Sequence, residues 1–69
     1  MDTFLVTSEI EYNEYMGETR RWEEVDIVEA CSIEDAESIV EDHYRIDEGH
    51  GGSYQSACCL STKRILRRK

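Results

Sequence analysis

The 69-residue chain has no proline, four glycines, one tryptophan and one phenylalanine, and its first 62 residues hold only three basic side chains. Without proline and with so few glycines there are few obligatory breaks, so long uninterrupted elements are expected. The three cysteines, Cys31, Cys58 and Cys59, are neither even in number nor spaced as a disulfide framework. No stretch approaches the ~20 apolar residues that span a bilayer. The opening "MDTFLVTSEI" lacks the basic start and long apolar run of a secretory signal. These absences predict a cytoplasmic protein with reduced thiols and no membrane partner.

Motifs that carry chemistry are missing as well. A structural zinc site needs cysteines two to four residues apart, whereas Cys58 and Cys59 are adjacent and Cys31 is remote. His43, His50, Asp47 and Glu48 do not complete a set. The stretch "DEGHGG" lacks the alternating oxygen ligands of a calcium loop. Its "GHGG" is followed by no Lys-Ser or Lys-Thr, so it is not a phosphate loop. Pairings such as Cys31 with His43, or Ser53 or Ser56 with His50, arise by chance in a chain rich in these residues. No nucleophile elbow accompanies them. No catalytic residue, metal ligand or cofactor is assigned, and the chain is expected not to be an enzyme.

Charge is what the sequence has in quantity. Residues 1–62 carry all sixteen acids against Arg20, Arg21 and Arg45, a net −13, and the last seven residues carry +5. The basic end comprises Lys63, Arg64, Arg67, Arg68 and Lys69. A body this acidic repels nucleic acid and anionic lipid over a Debye length, roughly 8 Å at physiological salt. It attracts a basic protein surface, such as an unoccupied nucleic-acid-binding groove. An acidic surface also keeps a small protein soluble, whatever it binds.

Hydrophobic periodicity predicts one small domain of order β-β-α-β. Residues 3–12 alternate, with Phe4, Val6, Ser8, Ile10 and Tyr12 on one face and Leu5, Thr7, Glu9 and Glu11 on the other. "NEYMGE" supplies a turn, in which Asn13 and Gly17 suit a positive φ. A second strand over 19–31 slips phase between Trp22 and Val25; either a β-bulge near Glu23–Glu24 repairs it or both faces are partly covered. Ser32 is a fitting N-cap for a helix over 33–46, with Asp35 three residues on imitating a capping box. Ile33, Ala36, Ile39, Val40 and Tyr44 make its apolar stripe. Gly49, Gly51 and Gly52 are expected to release the chain from the helix.

A last strand over 53–66 has Tyr54, Ser56, Cys58, Leu60 and Thr62 on one face and Cys59, Lys63 and Ile65 on the other. The predicted fold is α+β: a three-stranded, antiparallel or mixed sheet of order 2-1-3 with one helix on one face. The expected core is Phe4, Val6, Ile10, Tyr12, Trp22, Val28, Ala30, Ile33, Ala36, Ile39, Val40, Tyr44, Tyr54, Cys58 and Leu60. Leu5, Val25, Ile27 and Ile65 fall on the uncovered face, which suggests a homodimer or partner surface there.

The functional expectation is a small acidic interaction protein that binds, and modulates or inhibits, a basic partner. Small phage-encoded inhibitors share this size and charge, so a phage-type inhibitor is one form the expectation takes. The acids assigned to the partner surface are Glu9, Glu11, Glu34, Glu37, Glu41 and Asp42. Two alternatives stand beside it. One is a nucleic-acid-associated module using the basic end, although no aromatic residue is there to stack on bases. The other is a weak metal- or redox-responsive domain using the cysteines. For the basic end, an intramolecular role is also open, with Lys63, Arg64 and Arg67 neutralising Asp2, Glu34, Asp35 and Glu37.

Overall fold

Three strands of twelve residues and one helix of twelve account for most of the chain. The computed structural model describes residues 1–65. Strand β1 spans Asp2–Asn13, β2 Thr19–Ala30, α1 Ile33–Tyr44, β3 Ile46–Asp47 and β4 Tyr54–Ile65. The sheet is antiparallel throughout, in the order β2-β1-β4-β3. The three long strands are arranged as the sequence predicts, but the sheet has four strands, not three. The fourth exists because the helix stops two residues before the expected boundary. Arg45 turns extended (φ −67°, ψ 122°) while its N–H still donates to the Glu41 carbonyl at 3.1 Å. Ile46 and Asp47 then pair with Gln55 and Tyr54.

The loop after β3 is therefore a hairpin connection rather than a helix exit. Gly49 and Gly51 take φ near +80°, which only glycine adopts without strain, and Asp47 Oδ1 accepts from the Gly49 N–H at 3.0 Å. In the β1–β2 connection the positive φ (59°) falls on Met16, not on Asn13 or Gly17. The helix start follows expectation. The Asp35 N–H donates to Ser32 Oγ at 3.1 Å, while Asp35 Oδ2 accepts from the Cys31 N–H, one residue before the cap.

Strand β1 keeps strict parity. Phe4, Val6, Ser8 and Ile10 are buried against the helix side, together with Ala30, Ala36 and Val40. Val28, Tyr44 and Cys59 pack partly buried around this cluster. Each buried valine or isoleucine here is worth roughly 1.5–3 kcal/mol relative to exposure. Several residues expected in the core are exposed: Trp22, Ile33, Ile39, Tyr54 and Leu60. Length explains the exposure of Trp22. A twelve-residue helix is ~18 Å long and a twelve-residue strand ~40 Å, so α1 covers less than half of each long strand. The molecule extends 50 Å along its long axis but only 19 and 16 Å across.

Parity accounts for Tyr54 and Leu60. The register of β1 with β2 runs unbroken from Asp2↔Ala30 to Asn13↔Thr19, so β2 contains no bulge. The irregularity lies in β4 instead. Thr7 faces Ser61 and Ser8 faces Cys59, which leaves Leu60 as an extra residue. Side chains N-terminal to Leu60 are thereby turned over. Cys59 faces the helix beside Ser8, and Cys58 is exposed on the open face beside Glu9, the reverse of the expected assignment.

Candidate functional site

The helix is held off-centre, toward β4. Its seam of Ala36, Val40 and Tyr44 lies on the sheet, and three contacts tie it to β4. Thr62 Oγ1 donates to Glu37 Oε2 at 2.8 Å, Cys59 Sγ lies 3.9 Å from the Glu37 carbonyl, and Gln55 Nε2 donates to the Tyr44 carbonyl at 2.6 Å. The last of these satisfies a carbonyl that the helix end leaves without an intrahelical partner. Burial pushes the Cys59 thiol up, an effect the Ser8 hydroxyl opposes and the nearby Glu41 and Glu37 charges reinforce.

Tyr44 fixes the other flank. Its hydroxyl lies 2.7 Å from Asp26 Oδ2 and 3.4 Å from Glu24 Oε2, both on the helix side of β2. The phenol has one proton, and the shorter contact takes it. Burial first, then the Asp26 hydrogen bond and the charges of Asp26 and Glu24, hold the Tyr44 hydroxyl far above the ordinary phenol range. Asp26 faces the helix with that donor, and β2 runs through its phase slip without a bulge.

The six acids assigned to the partner surface fall into two groups on opposite faces of the sheet. Glu9 and Glu11 lie on the open face of β1, where Glu9 stands between Glu23 and Cys58. Glu11 is engaged: Arg21 Nη2 lies 2.8 Å from Glu11 Oε1, and the Arg21 hydrogen bond, followed by that of Asn13, holds the Glu11 carboxyl below its usual range. Glu34, Glu37 and Glu41 share the other face with the helix. Glu41 and Asp42 line one groove. That groove, about 540 Å³ in volume, lies between the helix end and β4 and is lined by Glu41, Asp42, Arg45, Asp47, Tyr54 and Ala57, among others.

Few of these charges are neutralised internally. Two ion pairs join described side chains, Arg21–Glu11 at 2.8 Å and Arg64–Asp2 at 3.6 Å, and neither involves the helix. Of the basic end, Arg64 thus reaches one of the acids expected for it. Lys63 pairs with Leu5 on the open face and points away from the helix N-terminus. Arg67, Arg68 and Lys69, with Leu66, lie outside the described residues.

The open face has its own division. At one end Leu5, Val25, Ile27 and Ile65 sit among Thr3, Thr7 and Lys63, with Val25 and Ile27 61% and 71% exposed. At the other lie Glu9, Glu11, Glu23 and Arg21. The cysteines are dispersed: Cys31 precedes the helix, Cys58 is on the open face and Cys59 beneath the helix. His43 packs edge-on against Tyr44 with ring centroids 4.9 Å apart. Among the described residues no three His, Cys, Asp or Glu side chains are grouped to hold a metal ion. No described helix is long and apolar enough to cross a membrane.

Sequence reasoning found the helix acids from their spacing but missed the groove and its strand edge. Both arise from the bulge, the early helix stop and β3, none of which has a periodic signal. No family model matches this sequence, and no curated protein or solved structure matches it.

Proposed function

We propose that this chain is a non-enzymatic interaction protein that binds a basic surface of a partner protein, such as one that itself handles nucleic acid, and modulates or inhibits it. The observation that carries the reading is the helix flank: Glu34, Glu41 and Asp42 have no cationic partner among the described residues, and Glu37 is met by a hydroxyl rather than a cation. Carboxylates concentrated on one side of a helix repel one another and oppose the compact state. A cationic partner removes that repulsion, and long-range attraction speeds its approach.

Glu9 and Glu11 contribute less in this reading. They face away from the helix, and Glu11 is already paired with Arg21. The open face, with its apolar end, is a separate surface. Affinity capture from the source cell, with mass-spectrometric identification of the retained species, tests the proposal. The expected result is a protein with a basic surface that is released as salt rises. A retained partner with an acidic or neutral contact surface, bound equally at low and high salt, would contradict it.

A further inference from the structure

Strand β4 is twelve residues long, yet β3 covers its outer edge only at Tyr54 and Gln55. From Ser56 onward no described strand lies against that edge. Ladder geometry tells which backbone groups point outward. The Glu48 N–H donates to the Ser53 carbonyl at 3.2 Å, across the β3–β4 hairpin. In an antiparallel ladder, alternate residues turn their N–H and C=O to the same side, so Gln55, Ala57 and Cys59 face outward with Ser53. Gln55 is paired with Ile46. Ala57 and Cys59 present theirs to the free edge, and beyond the Leu60 bulge the phase resumes at Thr62. Such an edge is a template for another strand.

The wall above this edge selects the occupant. Glu37 reaches Thr62 from the helix, and Glu41 lines the groove along Tyr54 to Ala57 with Asp42, Asp47 and one cation, Arg45. Glu37 and Glu41 are four residues apart, ~6 Å along the helix. Alternate residues of a strand repeat at ~6.7 Å. Side chains at every second position of an added strand would therefore meet successive carboxylates. The other free edge, on β2, offers no such wall, because its helix-side carboxylates Asp26 and Glu24 face Tyr44 and the flank above it carries Ile39 and His43. A second copy fits poorly. Two β4 edges paired about a two-fold axis would bring the Glu37–Glu41 flanks together on one face, in chains of net charge −8.

We infer that the edge of β4 from Ser56 to Thr62 takes an extended segment of the basic partner as an added strand in line with β3, with Lys or Arg at alternate positions beneath Glu37 and Glu41. The site ends before Lys63 and Arg64, which would repel such a segment. This rests on the acidic-flank reading proposed above and adds to it a backbone mode of recognition.

The test uses the full chain and a synthetic peptide alternating Lys with Thr or Val. Two further versions carry N-methyl groups, one on the amides of the lysines and the other on the amides between them. One version blocks the hydrogen bonds made to β4, and the other blocks only outward-facing amides. The expected result is that one methylated peptide binds at least tenfold more weakly and the other binds like the parent. Amide exchange at Ala57 and Cys59 should slow on binding, while Val25 and Ile27 on the β2 edge are unchanged. Equal binding by all three peptides, still weakened by salt, would overturn the strand mode and leave the charge reading standing. No salt-sensitive binding of any of them would overturn both. Protection at Val25 and Ile27 instead, or self-association of the free chain through β4, would overturn the choice of edge or occupant.

Discussion

Replacing Tyr44 by phenylalanine removes one oxygen and leaves the ring in place. That oxygen sits 2.7 Å from Asp26 Oδ2 and 3.4 Å from Glu24 Oε2 and is the polar link from the helix to β2. A hydrogen bond to a charged acceptor contributes about 1.5–3 kcal/mol when it is well buried. Tyr44, Asp26 and Glu24 are all half-buried, so water can replace the lost donor in part. The expected loss for Tyr44→Phe is therefore about 1 kcal/mol, below that range. With a urea m-value near 1 kcal/mol/M for so small a domain, the unfolding midpoint should fall by about 1 M.

The pH dependence has a definite sign. The folded-state phenol titrates above its unfolded value, so its contribution is full below about pH 10 and is lost as pH rises through the raised value. The native chain should then destabilise above pH 10 more steeply than the variant. Urea titrations at neutral and alkaline pH read both effects. A variant as stable as the parent at neutral pH would refute the link, and so would a native chain that loses stability above pH 10 no more steeply than the variant.

Three further outcomes are expected. Met16 is 90% exposed at φ 59°, so Met16→Gly removes left-handed strain without loss of packing and should raise stability by about 0.5–1 kcal/mol in the same urea assay; a decrease would contradict the turn geometry. In a thiol-titration time course, exposed Cys31 and Cys58 should react first and Cys59, under the helix with its thiol pushed up, should lag. Fast Cys59 with slow Cys58 would mean that the Leu60 bulge is misplaced. Arg21→Met should return the Glu11 carboxyl toward its usual range in an NMR titration, because the Arg21 hydrogen bond is the largest cause of its depression. An unmoved Glu11 would show that the pair does not persist in solution.

Legibility from sequence followed regularity. In β1, Phe4, Val6, Ser8, Ile10 and Tyr12 alternate without interruption, and their faces were correctly assigned. The helix announced its start through Ser32 and Asp35. Its end was misplaced because Tyr44, Arg45 and Ile46 continue a plausible helical pattern, and pairing of Ile46 with Gln55 is a tertiary event. In β4 no glycine or proline marks the bulge at Leu60, so a single extra residue inverted Cys58 and Cys59. In β2 the phase slip between Trp22 and Val25 passes without a bulge, and Asp26 faces the helix, where Tyr44, eighteen residues beyond it, supplies a donor. The acids of the helix were readable from spacing alone. The free edge beside them was not, since an edge is a property of strand order, and strand order here includes a two-residue strand too short for any periodicity.

The proposed hold of the helix flank on a basic partner by charge is read out by titrating the captured partner with the native chain and with the chain carrying Glu34→Gln, Glu37→Gln and Glu41→Gln together, across a range of salt concentrations. The triple variant should bind more weakly at low salt and with a shallower salt dependence, and the two affinities should converge where screening is strong. Equal affinities at low salt, with the variant folded, would contradict it.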